Sequence, residues 1–373
     1  MGRKKQRLSC AACVKKGTVD MTRKTIQPEE GNGRRRIQVE GAPAPSYFAS
    51  GADKDMEFFS TGCGLIDEAL GGGWVLGRVS NVVGDKSAGK TLLAMESCAN
   101  FALTYPDGMI RYAESESAFD VKYAQAMGAP VERIEFNGKN PMRTVEDLYT
   151  DLLRCLEAWK GKPGLYIIDS LDALSDEAEM DREFDEGSFG GTKPKAIGKL
   201  FRMLVERIEE QRVHLMVISQ LRDKLGVTFG ETKTRSGGKA LDYYATHIMW
   251  LAEKSKIKRK IGEVERIVGV EVQAFVKKNK IGLPFRKADY SVLYGYGVDD
   301  LLAMAEWAFE VKRDEQMKEL GFSKNGYKVR ITNIRNKGGQ EAKDMREALR
   351  KLVRQEWAKI ETDFLPQSRK YGG

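Results

Sequence analysis

The chain has 373 residues, of which 41% are hydrophobic and 31% are charged, and its formal net charge is +8. These values fit a globular protein in water, and no apolar run approaches the ~18 residues that would span a bilayer. We therefore expect no membrane partner. Five cysteines argue against a disulfide scaffold and favour a reducing cytoplasm. The two histidines, His214 and His247, stand in apolar settings and are expected to be buried, which argues against histidine-based catalysis.

The positive charge is concentrated at the two ends of the chain. Residues 1–36 carry a net charge of +8 and residues 311–373 carry +7, so the stretch between them carries −7. An acidic centre with basic ends suits a polyanionic partner contacted through basic arms. Solvated tails without a partner are the alternative, and the charge alone does not decide between the two.

Three regions differ in composition. Residues 1–50 contain GNGRRR and GAPAPS and few apolar residues, which is typical of a flexible basic arm. Residues 51–300 alternate apolar strands with amphipathic helices, and Ser60 or Thr61 is expected to cap the first helix. Residues 301–373 are basic and mostly helical, and we predict that they form a small C-terminal domain.

The central region predicts an α/β core. Strand–helix alternation of this kind is typical of a mainly parallel twisted sheet. Strands are predicted at 79–84, 109–114, 165–170, 214–220, 270–280 and 288–295, and helices at 91–105 and 197–211.

The segment GDKSAGKT lies between a predicted strand and a predicted helix, the context that distinguishes a phosphate-binding P-loop from a chance match. Its glycines let backbone N–H groups turn toward the phosphates, and the helix adds its positive dipole end. Lys90 is expected to reach the β/γ-phosphates and Thr91 to hold Mg²⁺. The predicted nucleotide-binding residues of the loop are Gly84, Asp85, Lys86, Ser87, Ala88, Gly89, Lys90 and Thr91.

Polar residues follow three neighbouring strands, at the edge where ligands of such sheets bind. Asp169 ends LYIIDS and is expected to hold the Mg²⁺ through water, although a turn or cap role is the alternative. Glu114 and Glu116 follow MIRYAE, and either one could polarise the attacking water. Gln220 ends HLMVISQ and is positioned to sense the γ-phosphate.

These segments resemble the RecA family of homologous recombinases. The resemblance covers roughly Met56 to Asp300 and is carried by STGCGLIDEALGGG, GDKSAGKT, AESESAFDVKYAQAMG, IIDSLDAL, VISQLRDKLGVTFG, SGGKALDYYAT and VKKNKIGLPFRKADYSVLYGYGV. Their order and spacing are more specific than any single block. The resemblance implies a RecA-like P-loop ATPase core, ATP and Mg²⁺ as cofactors, and a helical homo-oligomeric filament.

The resemblance also assigns individual residues. It favours Glu116 over Glu114 as the catalytic glutamate, with Lys90 and Gln220 as the other catalytic residues. Asp120 and Tyr123 match positions that contact adenine. Lys278 and Lys280 match lysines that reach the ATP of a neighbouring subunit, although an exposed basic strand end is the alternative.

The segment LRDKLGVTFGETKTRSGGKA follows Gln220 and is long, glycine-rich and without a period, as functional loops are. It resembles the second DNA-binding loop of the family. Arginine and lysine side chains and glycine N–H groups offer phosphate contacts, and apolar side chains can wedge against bases. The predicted DNA-binding residues are Arg202, Arg222, Lys224, Leu225, Phe229, Arg235, Gly237 and Gly238.

The segment EAEMDREFDEGSFGGTKPKAIGK occupies the place of the first DNA loop but is longer than in the family. Lys195 and Lys199 are weaker candidates for DNA contacts there. Cys10 and Cys13 could form half of a zinc site, but four ligands are needed and no second CxxC follows.

The sequence favours a DNA-dependent ATPase that forms a filament on single-stranded DNA, captures double-stranded DNA and promotes strand exchange in recombination and repair. Such a protein is expected in a bacterial cytoplasm or nucleoid, encoded by the cell or by a phage. One alternative is a RecA-like hexameric motor, a helicase or branch-migration enzyme. Another is an ATP-gated single-strand coating or annealing protein with little hydrolysis.

Overall fold

The strands of the computed structural model assemble mainly into one large sheet. The structure describes residues 56–116, 119–137, 141–180, 191–223, 233–235 and 238–366, with the backbone alone at 222, 223, 233 and 234. Within them, the strands are β1 (Phe58–Phe59), β2 (Trp74–Val75), β3 (Val79–Gly84), β4 (Met109–Glu114), β5 (Ile134–Phe136), β6 (Gly164–Asp169), β7 (Val213–Asp223), β8 (Lys233–Arg235), β9 (His247–Ile261), β10 (Val264–Asn279), β11 (Lys287–Leu293) and β12 (Gly297–Val298).

The order of strands in the large sheet is β12-β11-β10-β9-β3-β7-β6-β4-β5, with β8 beside β7. Strands β9, β3, β7, β6, β4 and β5 run parallel to one another, whereas β10, β11 and β12 add an antiparallel edge. The prediction of a mainly parallel α/β sheet is therefore confirmed. The register pairs Gly84 with Gln220 and Glu114 with Asp169, so the ends of four strands meet at one edge of the sheet.

Helices cover both faces of this sheet. They are α1 (Gly64–Leu70), α2 (Lys90–Thr104), α3 (Val121–Ala126), α4 (Val145–Trp159), α5 (Glu177–Met180), α6 (Thr192–Glu210), α7 (Gly238–Tyr244), α8 (Asp300–Glu310), α9 (Asp314–Glu319), α10 (Tyr327–Lys337) and α11 (Gly339–Asp363). Strand β6 illustrates how the sheet divides the core. Leu165 and Ile167 face the layer that contains α2, whereas Tyr166 and Ile168 face the layer that contains α4 and α6, as the period of two in a strand requires.

The predicted cap of the first helix is wrong. The N-cap of α1 is Cys63, which makes no side-chain capping bond. The hydroxyl of Thr61 donates to the carbonyl of Cys63 at 3.1 Å, and that of Ser60 donates to Asp67 at 2.5 Å. These hydroxyls stabilise the loop before the helix. Gly71 ends α1 with a φ of 89°, a conformation that favours glycine at a helix C-terminus.

Strands β9 and β10 form a long hairpin whose first strand the sequence analysis did not predict. Beyond Ala252, β9 carries mostly exposed residues on both faces. Basic residues alternate there with Ser255, Ile257 and Ile261, so no apolar face is formed. The pattern consequently lacks the apolar alternation that marks a half-buried strand.

The C-terminal helices are joined to the core by arginine–carboxylate pairs. Arg350 of α11 donates to Asp300 at 3.1 Å, and Arg354 donates to Glu68 of α1 at 3.0 Å. Val353 and Leu349 of α11 belong to the same apolar cluster as α1 and α2. All of the described residues lie in one compact unit. Among their helices, none has both the length and the apolar character needed to cross a membrane.

Both histidines are fully buried, as predicted. The Nδ1 of His214 lies 2.7 Å from the carbonyl oxygen of Val75. Burial lowers the pKa of His214 to about 4 and the pKa of His247 to about 3. The two rings are therefore neutral parts of the core at physiological pH.

Candidate nucleotide and DNA site

The segment GDKSAGKT forms the turn between β3 and α2. Ser87 has a φ of 62° and Gly89 a φ of 83°, so the backbone curls around a concave surface before α2 begins at Lys90. A Cβ at Gly84 would lie 2.9 Å from the carbonyl oxygen of Leu251, which explains the glycine there. The loop therefore has the strand–turn–helix form that exposes backbone N–H groups to an anion.

Lys90 is the first residue of α2, and its side chain folds back over the loop. The Nζ donates to the carbonyl oxygen of Asp85 at 2.8 Å. Burial lowers the pKa of Lys90, while the nearby carboxylates of Asp169, Glu116 and Asp172 act to raise it. These carboxylates place a negative field around the ammonium, on the side of the sheet edge.

Thr91 and Asp169 lie side by side at the ends of α2 and β6. The Oγ1 of Thr91 donates to Oδ2 of Asp169 at 2.8 Å, and the hydroxyl of Tyr112 donates to the same oxygen at 2.7 Å. Burial raises the pKa of Asp169, and these two hydrogen bonds counter it. A hydroxyl and a carboxylate beside a phosphate-binding loop are the hard oxygen donors that Mg²⁺ prefers, so these residues fit the ion.

Glu116 and Gln220 meet at the same edge. The Nε2 of Gln220 donates to both carboxylate oxygens of Glu116, at 2.8 Å and 2.9 Å, and the hydroxyl of Ser170 donates to one of them. The neighbouring Glu114 is held differently, because its Oε1 accepts the backbone N–H of Phe119 at 2.6 Å. Glu116 thus lies at the junction of β4, β6 and β7, whereas Glu114 stabilises the chain that follows β4.

Asp172 is a polar residue of this edge that the sequence analysis did not single out. Its Oδ2 accepts the backbone N–H of Gln220 at 2.7 Å, and its carbonyl oxygen accepts from Lys193 of α6 at 3.1 Å. Lys193 lies within the segment assigned to the first DNA loop, and Gln220 directly precedes the second. Asp172 therefore contacts one residue of the first segment and the residue before the second, and IIDSLDAL was the only sequence signal for it.

The predicted DNA residues are only partly described. Lys224, Leu225, Phe229 and Gly237 lie outside the described residues, as do residues 181–190 and the side chain of Arg222. The remaining predicted residues are distributed over three elements. Arg202 is exposed on α6, Arg235 ends β8 and Gly238 begins α7.

The base of the second loop is a short hairpin. Strand β8 pairs antiparallel with β7 and sets Arg235 opposite Leu221. The side chain of Arg235 is only 7% exposed and donates to Asp242 of α7 at 2.8 Å. The segment predicted to contact DNA therefore begins within this hairpin, in which β7 ends at Asp223 and β8 begins at Lys233.

Asp120 and Tyr123 lie at the start of α3. Asp120 caps this helix by accepting the N–H of Tyr123 at 3.0 Å, and the hydroxyl of Tyr123 lies 3.5 Å from the carbonyl oxygen of Leu293. Burial raises the pKa of Tyr123, and the neighbouring Glu96 and Tyr294 raise it further. Tyr294 is 58% exposed and was not predicted as a site residue, although it lies within the strand predicted at 288–295.

Lys278 and Lys280 converge on the C-terminal end of α7. Lys278 donates to the carbonyl oxygens of Asp242 and Tyr243, and Lys280 donates to that of Tyr243 at 2.9 Å. Burial and the charge of Lys280 lower the pKa of Lys278 to about 8. Cations at a helix C-terminus are favourable, and here they hold the helix that follows the predicted second DNA loop.

The parallel sheet carries a Gly-rich turn, a paired threonine and aspartate, and a glutamate at the next strand end, which together are typical of a P-loop core. A family model described as the RecA N-terminal domain matches residues 46–299. The chain therefore belongs to the RecA family.

Two curated relatives are similar over most of their length. Protein RecA of Borrelia duttonii (strain Ly) is 29% identical over 286 residues, which cover 76% of this chain and 73% of the relative. Protein RecA of Borreliella afzelii (strain PKo) is 25% identical over 368 residues, which cover 97% of this chain and 96% of the relative. Similarity at this level supports a recombinase or ATPase role.

Proposed function

We propose that this protein is a DNA-dependent ATPase that forms a filament on single-stranded DNA and promotes homologous pairing and strand exchange. The observation that carries the proposal is the contact between Gln220 and Glu116. It joins a carboxylate beside the P-loop to the residue from which the predicted second DNA loop departs. Because one hydrogen-bonded pair belongs to both sites, ATP and DNA can affect each other's binding.

The nucleotide would be held by the loop of residues 84–91. Lys90 would exchange its bond with the Asp85 carbonyl for the β/γ-phosphates. Thr91 and Asp169 would hold Mg²⁺, which neutralises charge on the phosphates when bound. Tyr123 and Tyr294 offer aromatic faces for the adenine base, and Asp120 offers a carboxylate.

Glu116 is the residue that we assign to hydrolysis. A carboxylate in this position can orient a water molecule and accept its proton as the water attacks the γ-phosphate. Ser170 and Gln220 both donate to it, which fixes its orientation. Gln220 therefore orients the catalytic base Glu116, and movement of the segment after Gln220 would strengthen or weaken these hydrogen bonds.

The predicted contacts of Lys278 and Lys280 with the ATP of a neighbouring subunit would explain why ATP favours a filament. Lys278 and Lys280 now contact the end of α7, and in a filament they would also face the phosphates of the adjoining subunit. A head-to-tail interface of this kind builds an open helix when its rotation does not close. ATP would then strengthen the interface, and its hydrolysis would weaken it.

The direct test is ATP turnover by the purified protein with and without circular single-stranded DNA. We expect turnover to rise at least tenfold with DNA and to be abolished by Lys90→Ala. The matched control is Lys162→Ala, because Lys162 is an exposed lysine in the turn before β6, outside the predicted nucleotide-binding loop. Turnover that is unaffected by DNA would contradict the proposed coupling, and turnover that survives in Lys90→Ala would contradict the proposed site.

A further inference from the structure

Glu96 lies on α2, in the segment that leads away from the P-loop, and its carboxylate contacts a different part of the chain. The Oε1 of Glu96 accepts the backbone N–H of Val298 at 2.9 Å. Val298 belongs to β12, the strand that follows the turn after β11. A carboxylate of the P-loop helix therefore accepts a hydrogen bond from the backbone of the strand that follows that turn.

The carboxylate of Glu96 occupies a slot between two glycines. Gly62 has a φ of 97° and Gly297 a φ of 98°, which favour glycine. A Cβ at Gly297 would lie 2.3 Å from one carboxylate oxygen of Glu96, and a Cβ at Gly62 would lie 3.0 Å from the other. The backbone at both positions thus leaves room for this side chain.

The same turn also contacts Tyr123. The hydroxyl of Tyr123 lies 3.5 Å from the carbonyl oxygen of Leu293, the last residue of β11. The next residue, Tyr294, is 58% exposed. The turn between β11 and β12 is accordingly followed by a residue that donates to Glu96, and it carries an exposed aromatic side chain near Tyr123.

We infer that Glu96 is a positioning residue that fixes the β11–β12 turn, so that its ionised carboxylate increases the affinity of the site for the adenine base of ATP. The inference rests on the proposed function, in which Tyr123 and Tyr294 contact the base. It assigns to Glu96 no contact with the phosphates or with Mg²⁺.

The charges around Glu96 set the pH range in which this effect is expected. The pKa of Glu96 is raised to about 7, chiefly by burial. The N–H of Val298 acts to lower it, the charge of Asp300 acts to raise it, and the charges of Arg346 and Arg350 act to lower it. The ionised form accepts the stronger hydrogen bond, so the turn is held more firmly above pH 7 than below it. The other titratable groups that face Glu96 are Tyr123, Tyr290 and Tyr296.

The test compares the Kd of a slowly hydrolysed ATP analogue, with Mg²⁺, for the wild type and Glu96→Gln at pH 6 and pH 8. Glutamine has the size of the protonated glutamic acid and no charge. We expect the two proteins to bind equally at pH 6, and the wild type to bind about fivefold more tightly at pH 8. Glu96→Asp, which keeps the charge but shortens the reach to Val298, should bind as weakly as Glu96→Gln at pH 8.

Binding of inorganic tripolyphosphate measures the contribution of the phosphates without that of the adenine base. Because it lacks a base, the wild type and Glu96→Gln should bind it equally at both pH values. Glu68→Gln is the matched control variant, since burial also raises the pKa of Glu68 but its partner is Arg354 of α11. It should keep the wild-type pH profile for the ATP analogue.

Two results would overturn the inference. One is that Glu96→Gln shows the same pH dependence of affinity for the ATP analogue as the wild type, or that Glu96→Asp binds the analogue at pH 8 as tightly as the wild type. The other is an equal loss of affinity for tripolyphosphate, because Glu96 would then act through the P-loop helix. Failure of the wild type to bind the ATP analogue at either pH would instead contradict the proposed function.

Discussion

The side-chain amide of Gln220 donates to both carboxylate oxygens of Glu116, although 104 residues separate the two in the sequence. The parallel register brings them together, since β7 and β4 both end at the same edge of the sheet. Gln220 is also fixed through its backbone, which donates to Asp172. The position of the Glu116 carboxylate therefore depends on the residue of β7 that directly precedes its pairing with β8.

Replacement of Gln220 should separate DNA binding from ATP turnover. Gln220→Ala removes both hydrogen bonds to Glu116 and leaves the P-loop intact. We expect ATP affinity to change less than threefold and DNA-stimulated turnover to fall by about 10². Turnover assays with and without single-stranded DNA measure this. Unchanged stimulation would mean that the contact does not transmit the effect of DNA.

Glu116 and Glu114 provide a matched pair of substitutions. Glu116→Gln removes the proposed base and should lower the rate of hydrolysis by about 10²–10⁴ with ATP binding retained. Glu114→Gln should lower that rate less than tenfold, because Glu114 accepts the N–H of Phe119 instead. Single-turnover hydrolysis measures both rates. The reverse order of effects would transfer the catalytic role to Glu114.

Mixed filaments test whether the ATP site is shared between subunits. Lys90→Ala removes the P-loop lysine, and the double variant Lys278→Ala with Lys280→Ala removes the proposed trans lysines. Each should be inactive alone. An equal mixture contains intact interfaces at about one in four positions, so it should recover up to about one quarter of wild-type turnover. A mixture as inactive as its components would contradict a shared site.

Asp151 predicts a pH-dependent contribution to stability. It accepts from the buried Arg111 at 2.8 Å and from Tyr166 at 2.7 Å. Burial raises the pKa of Asp151, but bonds from Arg111, Tyr166 and Arg154 outweigh it, so the pKa is lowered. Asp151→Asn should reduce the free energy of unfolding by about 3 kcal/mol at pH 7, measured by urea unfolding.

The sign of the pH effect follows from the lowered pKa. A carboxylate whose pKa is lowered in the folded protein stabilises the folded state above its unfolded pKa of about 3.9. This contribution is lost as the pH falls through the pKa of the folded state. The difference between wild type and Asp151→Asn should therefore shrink in acid. Glu135→Gln is the control, because its pair with Arg154 is half exposed and should contribute less than about 1 kcal/mol. A pH-independent difference for Asp151→Asn would contradict the ionic account.

Much of the site was predictable because a parallel sheet gathers strand ends. GDKSAGKT, Asp169 and Gln220 each follow an apolar run, and the strands end at one edge. The sequence therefore sufficed to predict Thr91 and Asp169 as residues of one Mg²⁺ site, and their side chains are in contact. Their roles toward nucleotide and Mg²⁺ stay predictions.

Other features depended on contacts that local patterns do not encode. Asp172 and Glu96 matter through backbone N–H groups that are distant in sequence. The cap at Ser60 or Thr61 was mispredicted because consecutive polar residues offer several start points, and the loop uses both hydroxyls. Strand β9 was missed because a strand exposed on both faces over much of its length needs no apolar alternation.

Strand exchange is the activity that tests the central claim most directly. Circular single-stranded DNA, homologous linear duplex and ATP would be incubated with the protein, and joint molecules would be resolved by gel electrophoresis. We predict joint molecules with homologous duplex, none with heterologous duplex, and none with Lys90→Ala. Duplex unwinding without joint molecules would contradict the proposal and indicate a motor, and strand coating without either activity would indicate a binding or annealing protein.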